Sequence, residues 1–163
     1  MAVKGVQQTL NAIRNFQEVI QEDVKDSVEK WTLIILREAI NNAPGAGDLV
    51  ATQHGTQKIE TGVNQYISSE LVNNGFTGRV FLEAGASLMA IYLEFGTGKS
   101  AQNYVPTLPA EWQAFAKKYY INGKGTLIKH PFLLPAFFNN QFKFLYDMQK
   151  VLKSHGINST VIS

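Results

Sequence analysis

The chain has no cysteine, which excludes a disulfide framework, a thiolate-held metal and a thiol nucleophile together. Histidine is scarce, at three residues, and forms no cluster; His54 stands alone in a glycine-rich stretch with no companion ligands. Long apolar runs are also missing. The longest, Leu33-Ile34-Ile35-Leu36, falls far short of the roughly eighteen residues that a membrane span needs. The opening MAVKGVQQTLNAIRNF carries polar residues at every second or third position and does not read as a secretory signal.

What remains is enough for one domain. The chain has 163 residues, of which 45% are hydrophobic, sufficient to bury a core and too apolar for global disorder. Formal net charge is +2 but unevenly spread: −1 over residues 1–42, −3 over 43–98 and +6 over 99–163. The basic residues are not densely clustered, so the asymmetry suits a surface that meets another surface better than a nucleic-acid site.

Periodicity predicts one long helix over residues 4–42. Val6, Leu10, Ile13, Phe16, Ile20, Val24, Val28, Trp31, Ile35 and Ala39 are spaced by threes and fours, and Pro44-Gly45 stops the run. Such a helix outreaches a domain of this size, so one end must project or pack on a neighbour. From Trp31 to Leu36 it is apolar on nearly every side, which assigns this half to the core. A break near Glu22–Asp26 is the competing reading. Residues 43–61, rich in glycine and small polar residues, read as a mobile loop. Val63–Val72 and Thr77–Ala84 read as a hairpin turned by Asn73-Asn74-Gly75, with Val80 and Leu82 on one face and Phe81 opposite. For Ala86–Glu94, helix and strand remain open.

Residues 109–120 predict a short helix with Glu111 in its first turn, Lys117 and Lys118 in its last, and a stripe of Trp112, Phe115, Ala116 and Tyr119. Thr126–Lys129 reads as a short edge strand. A second long helix is expected from Pro131 to Lys153, closed by His155-Gly156. Its stripe is Phe137, Phe144, Met148 and Val151, widened by Phe138, Phe142 and Leu145, and a frayed tail starts at Ile157. The fold class is therefore α+β: long N-terminal and C-terminal helices packed on a small antiparallel sheet of three to four strands. Residues 1–163 form a single domain, with an inserted loop and helix at 99–128.

The string Gly96-Thr97-Gly98-Lys99-Ser100 brings a phosphate loop to mind. The first glycine of that motif falls at Leu93 instead. The motif also needs a helix opening straight after Lys-Ser, and Pro106 and Pro109 argue against one here. No acid–base pair, histidine cluster or nucleophile elbow is apparent either. Glu94, bracketed by Leu93 and Phe95, needs a partner if buried: a cluster of backbone N–H groups, or a cation, for which Arg79 is the nearest candidate. Exposure on a strand edge is the alternative.

Three segments carry a family likeness: Glu60-Thr61-Gly62, then Met89-Ala90-Ile91-Tyr92-Leu93-Glu94-Phe95-Gly96-Thr97, then Pro131-Phe132-Leu133-Leu134-Pro135-Ala136. In this order, behind an extended first helix, they resemble the head–tail joining, or tail-completion, proteins of tailed bacteriophages. The likeness runs from residue 1 to 154. It departs from the family pattern in the glycine-rich stretch before Glu60, in Met89 where the family has Tyr, and in a longer segment 99–128.

The resemblance implies a structural virion protein of the phage neck, made in the host cytoplasm, with no reaction, cofactor, metal or membrane. It implies a ring of identical copies, six-fold, which meets head-closure or connector and tail proteins and lets DNA pass through its lumen without specific binding. Family-motif positions are Glu60, Thr61, Gly62, Ala90, Tyr92, Glu94, Phe95, Gly96, Thr97, Pro131, Phe132, Pro135 and Ala136; candidate interface residues are Trp112, Phe115, Tyr119, Lys117 and Lys118. Alternatives are a tail terminator or other minor tail component, and a nucleic-acid-binding module built on the basic, aromatic segment 99–129.

Overall fold

The computed structural model describes residues 3–86, 88–118 and 123–157. Helix α1 runs unbroken over Val3–Asn42, so the break considered near Glu22–Asp26 does not occur. At about 1.5 Å per residue its length is roughly 60 Å. Val28, Trp31 and Ala39 are buried in its second half, whereas Ile13, Phe16 and Val19 are about half exposed in its first.

Residues 43–61 are not an irregular loop. They form a hairpin, β1 Leu49–Thr52 and β2 Gly55–Lys58, paired antiparallel with Val50 opposite Gln57. Polar composition concealed it, because β2 is exposed along its whole length and shows no alternation. Val50 and Ile59, both 2% exposed, tie the hairpin to the core. The expected second hairpin is present as β3 Ile67–Val72 and β4 Thr77–Leu82. A 3-10 turn at Asn64–Tyr66 replaces the start of the anticipated first strand, and β4 ends at Leu82, before Ala84. Asn73, Asn74 and Gly75 all take positive φ, the conformation Asn and Gly tolerate best. The four strands thus make two separate two-stranded sheets, each too small to stand alone, with α1 packed on β3 and β4.

Ala86–Glu94, ambiguous from periodicity, resolves as helix α2, Leu88–Phe95. Helix α3, Gly98–Tyr104, follows at once, then α4, Ala110–Lys117. Residues 126–129 do not form a regular strand; Leu127 makes a single bridge to Thr52 of β1. Helix α5, Leu133–Ser154, closes the described chain. His155 caps it and Gly156, at φ 75°, turns the chain away, as glycine does past a helix end.

Helices α1 and α5 pack antiparallel. Contacts Glu38–Asn140, Trp31–Asp147 and Asp23–His155 descend α1 as they ascend α5. The α5 stripe is not as expected. Leu134, Ala136 and Asn140 are its buried positions, while Phe137 and Phe142 are 42% and 71% exposed. The aromatic side chains of α5 outnumber the positions that α1 can cover. Strand β4 lies so close to α1 that a Cβ at Gly78 would stand 1.7 Å from the Thr32 hydroxyl oxygen. The main core joins Ala39, Val50, Ile59, Val63, Ala90, Leu93, Phe132 and Ala136, and a smaller one gathers Phe95, Ala101, Val105, Leu108, Ala116 and Leu134.

Candidate functional site

The three likeness segments lie far apart in sequence and meet around the two cores. Glu94 is the joint. Its α2 position turns it inward with Ala90, Leu93 and Phe95, all buried, and it is 4% exposed itself. The carboxylate faces the opening turn of α5. It accepts N–H bonds from Phe132 at 2.8 Å and Leu133 at 2.9 Å on Oε2, and from Leu134 at 2.9 Å on Oε1. These are donors that a helix start leaves without intrahelical partners, and the positive end of the helix dipole favours the anion. Pro135 fits in the same turn, where its missing N–H costs nothing. Burial pushes the Glu94 carboxyl above its ordinary range; the N–H groups of Leu133, Phe132 and Leu134, and then His130, act in the opposite direction.

Of the two partners considered for a buried Glu94, the backbone cluster is the real one. Arg79 instead pairs with Glu70 across the β3–β4 hairpin, at 3.2 Å on the surface. The solvent-facing strand alternative fails because the residue lies on a buried helix face.

The glycines after Phe95 have a packing role. The expectation that no helix follows them is overturned, since α3 opens at Gly98; Pro106 and Pro109 come after it ends and do not interrupt it. The space a phosphate would need is filled by the chain's own segment 125–130. A Cβ at Gly98 would stand 2.2 Å from the Gly125 carbonyl oxygen. Thr97 N–H donates to Leu127 O at 2.9 Å, Leu127 N–H donates to Thr97 Oγ1 at 2.9 Å, and Lys129 N–H donates to Ser100 Oγ at 2.9 Å. His130 N–H donates to Leu93 O at 2.7 Å. On its other side this segment joins β1, through Gln53 N–H to Thr126 O and Ile128 N–H to Ala51 O. The Gly-Thr-Gly turn is therefore a socket for a strap that leads into Pro131 and the Glu94 joint.

Glu60-Thr61-Gly62 completes the arrangement. Gly62 is pressed against residues 45–46, where a Cβ would meet Ala46 N at 2.8 Å. Val63 N–H donates to Pro44 O, fixing the exit of α1. Glu60 and Thr61 share a cleft of about 330 Å³ with Tyr66 and Met89, so this segment adjoins the one that starts α2. Tyr92 and Ala90 pack in the main core.

The candidate interface residues fall beside the joint. Trp112 and Phe115 of α4, ring centroids 6.4 Å apart and edge to face, line an apolar groove of about 540 Å³ with Glu94, Phe95, Phe132 and Leu134. Lys117 and Lys118 are exposed at the end of α4; Tyr119 and Tyr120 lie outside the described residues, as do the tail positions 158–163. Phe81 of β4 and Ile91 of α2 also line the groove and were not singled out from sequence. The alternation that sets Phe81 opposite Val80 was the available signal. Tyr104, a further aromatic of segment 99–129, is covered by Lys129 Nζ at 3.6 Å from its ring centroid.

Among the described residues no group of His, Asp and Glu is placed to hold a metal ion, and no helix is long and apolar enough to cross a membrane. Fold and site together define an α+β scaffold whose buried carboxylate caps a helix. No protein-family model matches the chain, and neither a curated protein nor a solved structure matches it.

Proposed function

We propose that the chain is a structural subunit of a tailed-phage neck. Copies of it form a ring that completes the tail and joins it to the DNA-filled head, and the chain carries no catalysis. The observation that supports this reading most is the convergence of the three resembling segments on one construction. Glu94 spends its acceptors on the backbone of Phe132, Leu133 and Leu134, Thr97 grips the strap before them, and Gly62 and Val63 anchor the end of α1 beside Pro44. Such a joint holds two long helices in fixed relation, which suits a part whose work is to transmit position between neighbours. A half-exposed apolar stripe on α1 and the unequal charge of the middle and C-terminal thirds suit head-to-tail contact between copies.

Native mass measurement, with and without neck-deficient tails and heads, tests the reading. Assembly into a closed ring, and recovery of joined particles in the electron microscope, is the expected result. A chain that stays monomeric at high concentration and leaves the tails unjoined overturns it.

A further inference from the structure

We propose that the apolar groove between β4, α4 and the start of α5 is filled by the overhanging first half of α1 from a second copy of the chain. The proposal rests on the ring reading above and names the two surfaces that meet.

The inserted surface is the stripe Ile13, Phe16 and Val19, which are 50%, 48% and 49% exposed. At helical spacing these positions share one face, and every residue from 11 to 19 is exposed. His155 stands edge-on to Phe16, with ring centroids 5.9 Å apart, and Ile13 lies one turn further toward the start of α1. The receiving surface has two lobes, about 540 and 440 Å³, which share Val80, Phe81, Trp112, Leu133 and Leu134. Together they make a trough that takes a row of large side chains rather than one.

A single chain cannot make this contact with itself. Thr32 and Ile35 of α1 line the groove, and Phe16 lies about 25 Å away along the same helix at ~1.5 Å per residue. Helix α1 is continuous between them, so it cannot fold back. Only another copy can bring this stripe to the groove, and because stripe and groove are different patches such a contact repeats head to tail, closing as a ring or extending as a filament.

Charge agrees with the docking. Glu22 and Asp26 follow Val19 at spacings of three and seven, along one edge of the stripe, and both are exposed. Arg79 of β4, paired with Glu70, and Glu83 border the groove, and α4, which lines it through Trp112 and Phe115, ends in exposed Lys117 and Lys118. Neither lysine forms an ion pair among the described residues. An acidic edge thus meets the two lysines at the α4 end of the groove, which orients the approach.

The absence of native cysteine allows a direct test. Phe16→Cys and Phe81→Cys proteins, differently tagged, are mixed and mildly oxidised. The expected product is the mixed disulfide, in excess over either self-pair. Val19→Asp, on the exposed face, is expected to weaken self-association by about tenfold or more in sedimentation, with its circular-dichroism melt unchanged. If a ring forms from the unaltered protein yet survives Val19→Asp and gives no mixed disulfide, this contact is wrong while the ring reading stands. Self-pairs of Phe81→Cys alone, or an apolar dye that fills the groove equally in monomer and assembly, also overturn the contact. If the unaltered protein never associates, both readings fall.

Discussion

Two of the carboxylates that hold helix α5, Glu94 and Asp147, work under opposite conditions. At the start of the helix, Glu94 is buried, accepts three backbone N–H groups and, among the described residues, has no cationic side chain bonded to it. Further along, Asp147 is held at the surface by Lys30 Nζ at 2.9 Å and Trp31 Nε1 at 3.1 Å. The first contact replaces water completely, so removing it leaves dry donors without acceptors; the second competes with solvent at every moment. Both join α5 to the rest of the chain, but only the first is costly to lose. Burial, not the number of contacts drawn between two groups, sets that difference.

The comparison breaks most sharply at Glu94. Replacement by Ala leaves the N–H groups of Phe132, Leu133 and Leu134 unpaired and opens a gap between α2 and α5, an expected loss of about 3–5 kcal/mol in chemical denaturation. Glu94→Gln keeps the shape but turns an amide donor toward N–H donors, for about 1–3 kcal/mol. An unchanged denaturation midpoint for Glu94→Gln would show that the cap is dispensable.

The glycine socket comes next. Gly98→Ala puts a methyl group into the Gly125 carbonyl at a positive φ of 52°, so the strap must lift, at about 1–3 kcal/mol. Hydrogen exchange at the Leu127 and Lys129 amides should rise with it; protection there equal to that of the parent would refute the socket.

Proton linkage separates the two carboxylates by sign. Burial raises the folded-state pKa of Glu94 above its ordinary value of 4.5, so the folded chain keeps this proton longer than the unfolded chain does. Its contribution to stability is full below the ordinary value and declines as pH rises through the raised one. The Lys30 hydrogen bond, and after it that of Trp31, lowers the Asp147 pKa. Its contribution is present above the ordinary value and lost as pH falls through the lowered one. Stability of Glu94→Gln and Asp147→Asn measured against pH should therefore differ from the parent in opposite directions. The same direction for both would refute the assignment.

Asp147→Asn at neutral pH is the smallest effect. The carboxylate is held at the surface, and the amide keeps an oxygen for the Trp31 N–H. The denaturation midpoint at neutral pH should fall only slightly below the parent's, and a large loss would mean that the helix pair depends on this contact.

Much of the scaffold was legible in the sequence. The α1 period, the stop at Pro44-Gly45, the Asn73-Asn74-Gly75 turn and the α5 span follow from local steric and hydrophobic patterns that need no distant partner. The β1–β2 hairpin was not legible, because β2 is exposed throughout and is held by backbone pairing rather than by an apolar face. Helix α3 was missed for a related reason: Gly98 starts it not as a helix former but because only glycine fits beneath Gly125. For Glu94 the sequence posed the question, by setting a carboxylate between Leu93 and Phe95, and narrowed the answer to a cation or a backbone cluster. It could not choose between them.

The sequence by itself determined where the long helices run, that Glu94 needs a partner if buried, and that no thiol chemistry is open to this chain. Tertiary structure decided the rest. It brought α5's first turn, thirty-eight residues from Glu94 to Phe132, onto one carboxylate, laid segment 125–130 into the Gly-Thr-Gly socket, and left Ile13, Phe16 and Val19 of α1 half exposed. These are choices between partners distant along the chain. They are made by which surfaces exclude water together, and no local pattern records that.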